Sequence, residues 1–205
     1  KAGATILLSS LSTDFEQLGE RLKALDFFED VLPFDEKRDT FFPELKKWKT
    51  NRGNLIFNMI SRIIFTRKYA KLESAFIPVR FQDYKDIYVY CDSDPVGYYL
   101  NQNRIYYHAM EDGINCLKIY DAARFDNRGC FGLKAWMSGK NLIFIQNGYG
   151  KYCLDMEIND RSCLKYDCKK YIEVPRKPME EALNSTQKQL IIRAFVQDSE
   201  HLTQQ

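Results

Sequence analysis

The chain has 205 residues, 45% hydrophobic and 28% charged, with 30 Lys+Arg against 28 Asp+Glu and a formal net charge of +2. That length fits one domain, or one with a small appendage, and the composition excludes low-complexity disorder and fibrous repeats. The charge balance gives no chain-wide attraction for nucleic acid or an anionic membrane, and no apolar run approaches the ~20 residues of a membrane helix.

Thr5-Ile6-Leu7-Leu8 is a short apolar run ending in Ser9-Ser10 and reads as a strand over 5–8. Phe15, Leu18, Leu22 and Leu25 then recur on one helix face, with Thr13 or Asp14 as cap. A second strand is predicted over 30–33, closed by Pro33-Phe34. Leu55, Phe57, Met59, Ile60, Ile63, Ile64 and Phe65 form a thickly apolar helix. Strands follow over 87–91 and 105–110, with a short helix over 96–100 between them and Pro95 at its first position. A helix is predicted over 131–137, a strand over 142–146 and a short strand over 172–175. The last element is a helix over about 186–196, with Asn184 as cap and Gln187 in capping-box spacing.

Helices alternating with short, non-alternating apolar strands predict an α/β domain with one doubly wound, mainly parallel sheet. Ligands in such sheets lie beyond the carboxyl ends of the strands, so the polar residues ending each strand are the candidates. Glu111-Asp112-Gly113 directly follows the strand 105–110. Adjacent carboxylates repel, which favours a proton acceptor near neutral pH, and Gly113 permits a tight turn; a solvated acidic turn is the competing reading. Asp92-Ser93-Asp94-Pro95 reads as helix capping or as contacts to the hydroxyls of a neutral ligand. Ser9-Ser10 reads as capping or as ligand contacts. Asn147, Gly148 and Tyr149 combine amide and aromatic groups suited to sugar recognition, and equally to a tight turn. Arg124, Arg128 and Lys134 meet an anion or form a solvated face. His108 reads as a packed core histidine and His201 as part of a frayed tail.

The six cysteines show no C-x-x-C spacing and there are two histidines. A zinc site is not expected, and the thiols read as reduced and partly buried, as in a cytosolic protein. No D-x-D pair of the metal-chelating kind stands in an obvious nucleotide loop, but Asp92-Ser93-Asp94 has that spacing, which leaves a metal-dependent reading open. No Gly-rich phosphate loop and no G-x-S-x-G occurs.

The strand followed by Glu111-Asp112-Gly113, then Tyr120-Asp121-Ala122-Ala123-Arg124-Phe125, Leu142-Ile143-Phe144-Ile145-Gln146-Asn147-Gly148 and Ile172-Glu173-Val174-Pro175-Arg176, resembles the amino-terminal half of bacterial surface-polysaccharide glycosyltransferases. The similar groups are the bacterial sialyltransferases and polysialyltransferases, including glycosyltransferase family 52. The resemblance implies two Rossmann-like domains facing a cleft (a GT-B arrangement), with residues 1–175 as the acceptor-side domain and 176–205 as a terminal helix and linker toward a second domain. It implies metal-independent inverting transfer from a nucleotide sugar such as CMP-sialic acid to a glycan acceptor, in capsule or lipopolysaccharide synthesis, in the cytoplasm at the inner face of the membrane. No cofactor is implied beyond the donor substrate. Glu111 takes the place of the general base, completed by Asp112 and Gly113, and Ser9 and Ser10 match a serine pair near the donor. The family's His-Pro motif does not occur in these 205 residues. A piece of a longer enzyme is therefore expected, and by itself it is expected neither to transfer sugar nor to bind a nucleotide sugar tightly. The alternative is a non-catalytic α/β module that binds a glycan or a protein.

Overall fold

The structure, a computed structural model, describes residues 3–12, 14–90, 92, 95–111, 113 and 115–174. The chain divides into two units, Lys1–Val174 and Pro175–Gln205. The second unit, with the predicted helix over 186–196 and its cap Asn184, lies outside the described residues, as does His201.

The chain opens with β1 (Thr5–Ser9), α1 (Phe15–Ala24) and β2 (Asp30–Phe34). β1 and β2 pair in parallel, Thr5 opposite Asp30 through Ser9 opposite Phe34. Phe15, Leu18 and Leu22 are the half-covered side of α1, as their spacing predicts, whereas Leu25 lies beyond the helix and is exposed. Asp14 does not cap: its backbone is left-handed and its side chain makes no cap bond, and Thr13 lies outside the described residues.

A short α2 (Lys46–Lys49) leads into α3 (Leu55–Glu73). Asn54 caps α3, its side-chain oxygen accepting from the Ile56 and Phe57 N–H groups at 3.0 and 3.2 Å. The two halves of α3 differ. Phe65, Tyr69 and Ala70 are buried in an aromatic cluster with Phe42, Leu45, Tyr98 and Phe144, whereas Leu55, Ile56, Phe57 and Ile60 are exposed.

The remaining elements are β3 (Tyr88–Tyr90), α4 (Val96–Gln102), β4 (Tyr107–Met110), α5 (Ala122–Asp126), α6 (Phe131–Gly139), β5 (Cys153–Ile158) and β6 (Tyr171–Glu173). Pro95 occupies the position before α4, where it needs no N–H of its own. The four strands form a second sheet in the order β3-β4-β5-β6, every pair parallel. One face carries the core: Tyr107, Ala109, Cys153, Met156, Ile158 and Tyr171 are buried together with Leu100 and Ile105. The alternate positions Tyr88, Tyr90 and Ile172 are exposed.

The α/β class with parallel pairing is as predicted, but two details differ. The strands form two sheets rather than one. The predicted strand over 142–146 is a loop, although Ile143, Phe144 and Ile145 are almost fully buried. Its amides turn back on α6 instead: the Leu142 N–H donates to the Met137 carbonyl at 3.0 Å and the Ile145 N–H to Ser138 Oγ at 3.1 Å. A short apolar run records burial and not the partner of its backbone, so periodicity does not separate the two cases. The place beside β4 belongs to β5, whose sequence Cys-Leu-Asp-Met-Glu-Ile drew no strand prediction.

Candidate site at the carboxyl ends of the strands

Parallel pairing brings the carboxyl ends of β3 to β6 to one edge. Asp92 stands two residues past β3, Glu111 directly past β4 and Asn159 directly past β5.

Asp92 is fully buried. One carboxylate oxygen accepts the Tyr107 hydroxyl at 2.7 Å; the other accepts the Asn147 N–H, and the Gly148 N–H lies 3.3 Å from both. The Tyr107 hydroxyl in turn accepts from Asn101 Nδ2 at 2.9 Å, and Asn101 Oδ1 accepts the Tyr152 N–H at 3.0 Å. This chain of buried bonds fastens the loop 146–152 to α4 and β4. Gly97 permits the approach: a Cβ there would lie 2.3 Å from both the Asp92 carbonyl oxygen and the Phe144 ring. Burial pushes the Asp92 carboxyl up to about 6 against the opposing pull of its donors from Tyr107, Gly148 and Asn147. Asp92 and Asn147, both expected at a ligand, are therefore turned inward. Asn147 is 1% exposed and its side chain donates to the Asn115 carbonyl at 2.9 Å. Tyr149 is half-buried; its ring meets Phe131 edge-on at 5.2 Å and its hydroxyl accepts from Arg124 at 3.4 Å. Ser93 and Asp94 lie outside the described residues.

Glu111 differs. It is half-exposed, and its N–H continues the ladder to the Glu157 carbonyl at 2.8 Å. Its Oε2 accepts from the backbone N–H and the side-chain amide of Asn159, at 2.7 and 2.9 Å. Both bonds use one oxygen and neither uses Oε1. Gly113 is exposed with φ +58°, the positive-φ turn expected of it. Asp112 lies outside the described residues.

At the carboxyl ends of β1 and β2, the Ser9 hydroxyl donates to the Glu36 carboxylate and accepts the Leu11 N–H at 3.1 Å, so it closes a turn. Ser10 is exposed and its N–H donates to the Phe34 carbonyl at 2.8 Å. Glu73, at the last position of α3, is fully buried. Burial, with Glu36 and Asp35 adding to it, pushes its carboxyl up to about 7, partly opposed by a hydrogen bond from the Lys37 backbone N–H and by the Lys37 ammonium. Sequence reading passed over Glu73. Its signal was its position four residues after Tyr69 and eight after Phe65, on the buried stripe of the helix.

The other candidates are divided. His108 is not core: its Nδ1 lies 2.8 Å from Asp155 Oδ1 and its ring stacks on exposed Tyr88, on the open face of the sheet. Arg124 is held by Asp121 at 3.2 Å and lies over the Phe131 and Tyr166 rings. Arg128 and Lys134 line a cavity away from the strand ends. Cys116 and Cys153 are buried free thiols pushed up by burial, whereas Cys130 and Cys163 are exposed. Among the described residues no group of three His, Cys, Asp or Glu side chains is placed to hold a metal ion, and no helix is long and apolar enough to cross a membrane.

Compared with known protein families, with curated proteins and with solved structures, the chain has no significant match in any of the three.

Proposed function

We propose that the chain is the acceptor-side, Rossmann-like domain of a GT-B glycosyltransferase, an inverting and metal-independent enzyme of the sialyltransferase type. The observation that supports it is the placement of Glu111: a half-exposed carboxylate directly after a central parallel strand, with one oxygen oriented by Asn159. That is where an α/β sheet offers groups to a ligand. The orienting bonds fix the carboxylate while Oε1 accepts the proton of an acceptor hydroxyl as it attacks the anomeric carbon. A nucleotide sugar, with CMP-sialic acid the first to test, supplies the leaving group, and a second Rossmann-like domain of the same protein holds its phosphate. The product is a capsular or lipopolysaccharide glycan, made at the cytoplasmic face of the membrane. Asp92, Asn147 and Ser9 support the loops around the site instead of touching substrate.

The test is transfer from radiolabelled CMP-sialic acid and a panel of UDP-sugars to glycan acceptors by the full-length protein. Glu111→Gln should lower kcat by the 10²–10⁴-fold that general base catalysis is worth, with stability unchanged. Transfer within a few-fold of wild type would reject Glu111 as the base.

One observation favours a second reading, a glycan-binding module without chemistry. Tyr88, Tyr90 and Tyr106 are each more than half exposed, and tyrosine rings stack on sugar faces. Glycan binding that survives Glu111→Gln but is lost in Tyr88→Ala/Tyr90→Ala, with no transfer to any acceptor, would select it.

A further inference from the structure

A second site lies apart from the strand ends and owes nothing to Glu111. A cavity of about 440 Å³ opens between α2, the first half of α3, the end of α5 and the start of α6, and none of its walls is a strand. Lys49, Arg62, Arg128 and Lys134 line it, against the single carboxylate of Asp126. The surplus of three positive charges in one concavity contrasts with +2 over the whole chain.

The donors in this cavity are incompletely used. Arg62 gives Nη2 to Asn127 Oδ1 at 3.2 Å, but among the described residues its buried Nε–H meets no acceptor, nor does the buried indole N–H of Trp48. Lys134 donates to the Arg128 carbonyl at 3.2 Å, and burial together with the Arg62 charge pushes its ammonium down. Lys49 is the one cation with a close acidic partner, Asp39, and Asp126 is engaged by Gln146 at 3.3 Å. Buried donors without acceptors are unfavourable, and like charges in a concavity repel. An acceptor-only, multiply charged group relieves both at once. Among the described residues no carboxylate forms an ion pair with Arg62, Arg128 or Lys134, and a tetrahedral oxyanion suits guanidinium and ammonium groups that line one concavity. The volume is that of a small-molecule site. Leu55 and Met59 add an apolar wall, suited to an organic portion attached to the anion.

We propose that this cavity binds the phosphate group of a small phosphorylated molecule, through Arg62, Arg128, Lys134 and Trp48. The shared chemistry is the phosphate, borne either by a soluble ester or by a lipid headgroup.

The full-length chain is titrated calorimetrically with inorganic phosphate and pyrophosphate. In parallel, iodoacetamide labelling of Cys130, which is exposed and lines the cavity, is followed by mass spectrometry. Pyrophosphate should bind and slow labelling at Cys130 but not at exposed Cys163. The pair Arg128→Gln/Lys134→Gln should weaken binding about tenfold or more, as expected for losing charge-assisted hydrogen bonds, while the melting temperature stays near wild type. Arg62→Lys keeps the charge, removes the Nε–H and should weaken binding by a smaller factor. Sedimentation with phosphatidylcholine vesicles carrying phosphatidic acid, lost in the same double variant, supports the proposal with a lipid as the source; pyrophosphate binding without vesicle binding supports it with a soluble ester. No binding to pyrophosphate or to the vesicles at millimolar phosphate, or binding and Cys130 protection equal in wild type and double variant, overturns it.

Discussion

Asp92 and Glu111 occupy equivalent places, each just past the carboxyl end of a neighbouring parallel strand, and they have opposite fates. Asp92 is fully buried, and its acceptors go to Tyr107, Asn147 and Gly148. Glu111 stays half-exposed, and its two bonds converge on one oxygen. A carboxylate at a strand end is thus not a site by position alone. It stays accessible only where the neighbouring loops satisfy their own N–H groups without it. Here the loop 146–152 depends on Asp92, while the end of β5 needs Glu111 only for Asn159.

The largest test of this contrast is Asp92→Ala. It strands the Tyr107 hydroxyl and two backbone N–H groups in the core, and the loss should be at least about 3 kcal/mol in urea denaturation. Asp92→Asn keeps one oxygen for the loop and should lose less. If Asp92→Ala lost under about 1 kcal/mol, the node would not be what fastens the loop.

Gly97→Ala comes next. Its Cβ would meet a backbone oxygen and the Phe144 ring at 2.3 Å, and overpacking of this kind costs about 1–3 kcal/mol. A near-neutral melting curve would mean that α4 shifts without cost to Asp92.

The third test is pH. Asp92 and Glu73 sit at about 6 and about 7 in the folded chain, above their ordinary values of 3.8 and 4.5. The folded state therefore holds these protons to higher pH than the unfolded chain does. Their contribution is fully present below about pH 4 and is lost as pH rises through 4 to 7. Glu73→Gln should flatten the upper part of that fall and gain about 1–2 kcal/mol at pH 8. A wild-type stability attributable to these groups that rises from pH 4 to 7, with Glu73→Gln destabilising at pH 8, would contradict the burial argument.

The smallest effect on folding belongs to Glu111→Gln. The amide oxygen still accepts from Asn159, so stability should stay within about 0.5 kcal/mol of wild type. Asp92→Ala and Glu111→Gln measured side by side by thermal unfolding give the sharpest form of the comparison. Equal losses would erase it.

Local pattern in the sequence was enough to locate β1, β2, β3 and β4, the helices α1, α3, α4 and α6, the turn at Gly113 and the position of Glu111 at the end of β4. Each is encoded by residues close in the chain: a short apolar run, an i, i+3, i+7 face, a glycine where φ is positive. Tertiary structure alone decided that Ile143, Phe144 and Ile145 pack as a loop while 153–158 takes the strand position, that Glu73 is enclosed, and that Trp48 and Arg62 meet Arg128 and Lys134 around one cavity. It also decided the fate of Asp92, whose partner Asn147 lies 55 residues away. Periodicity records how much apolar surface a segment must hide. It carries no record of which distant N–H will need a carboxylate, and that need is what separates an acid enclosed in the core from one left at the surface.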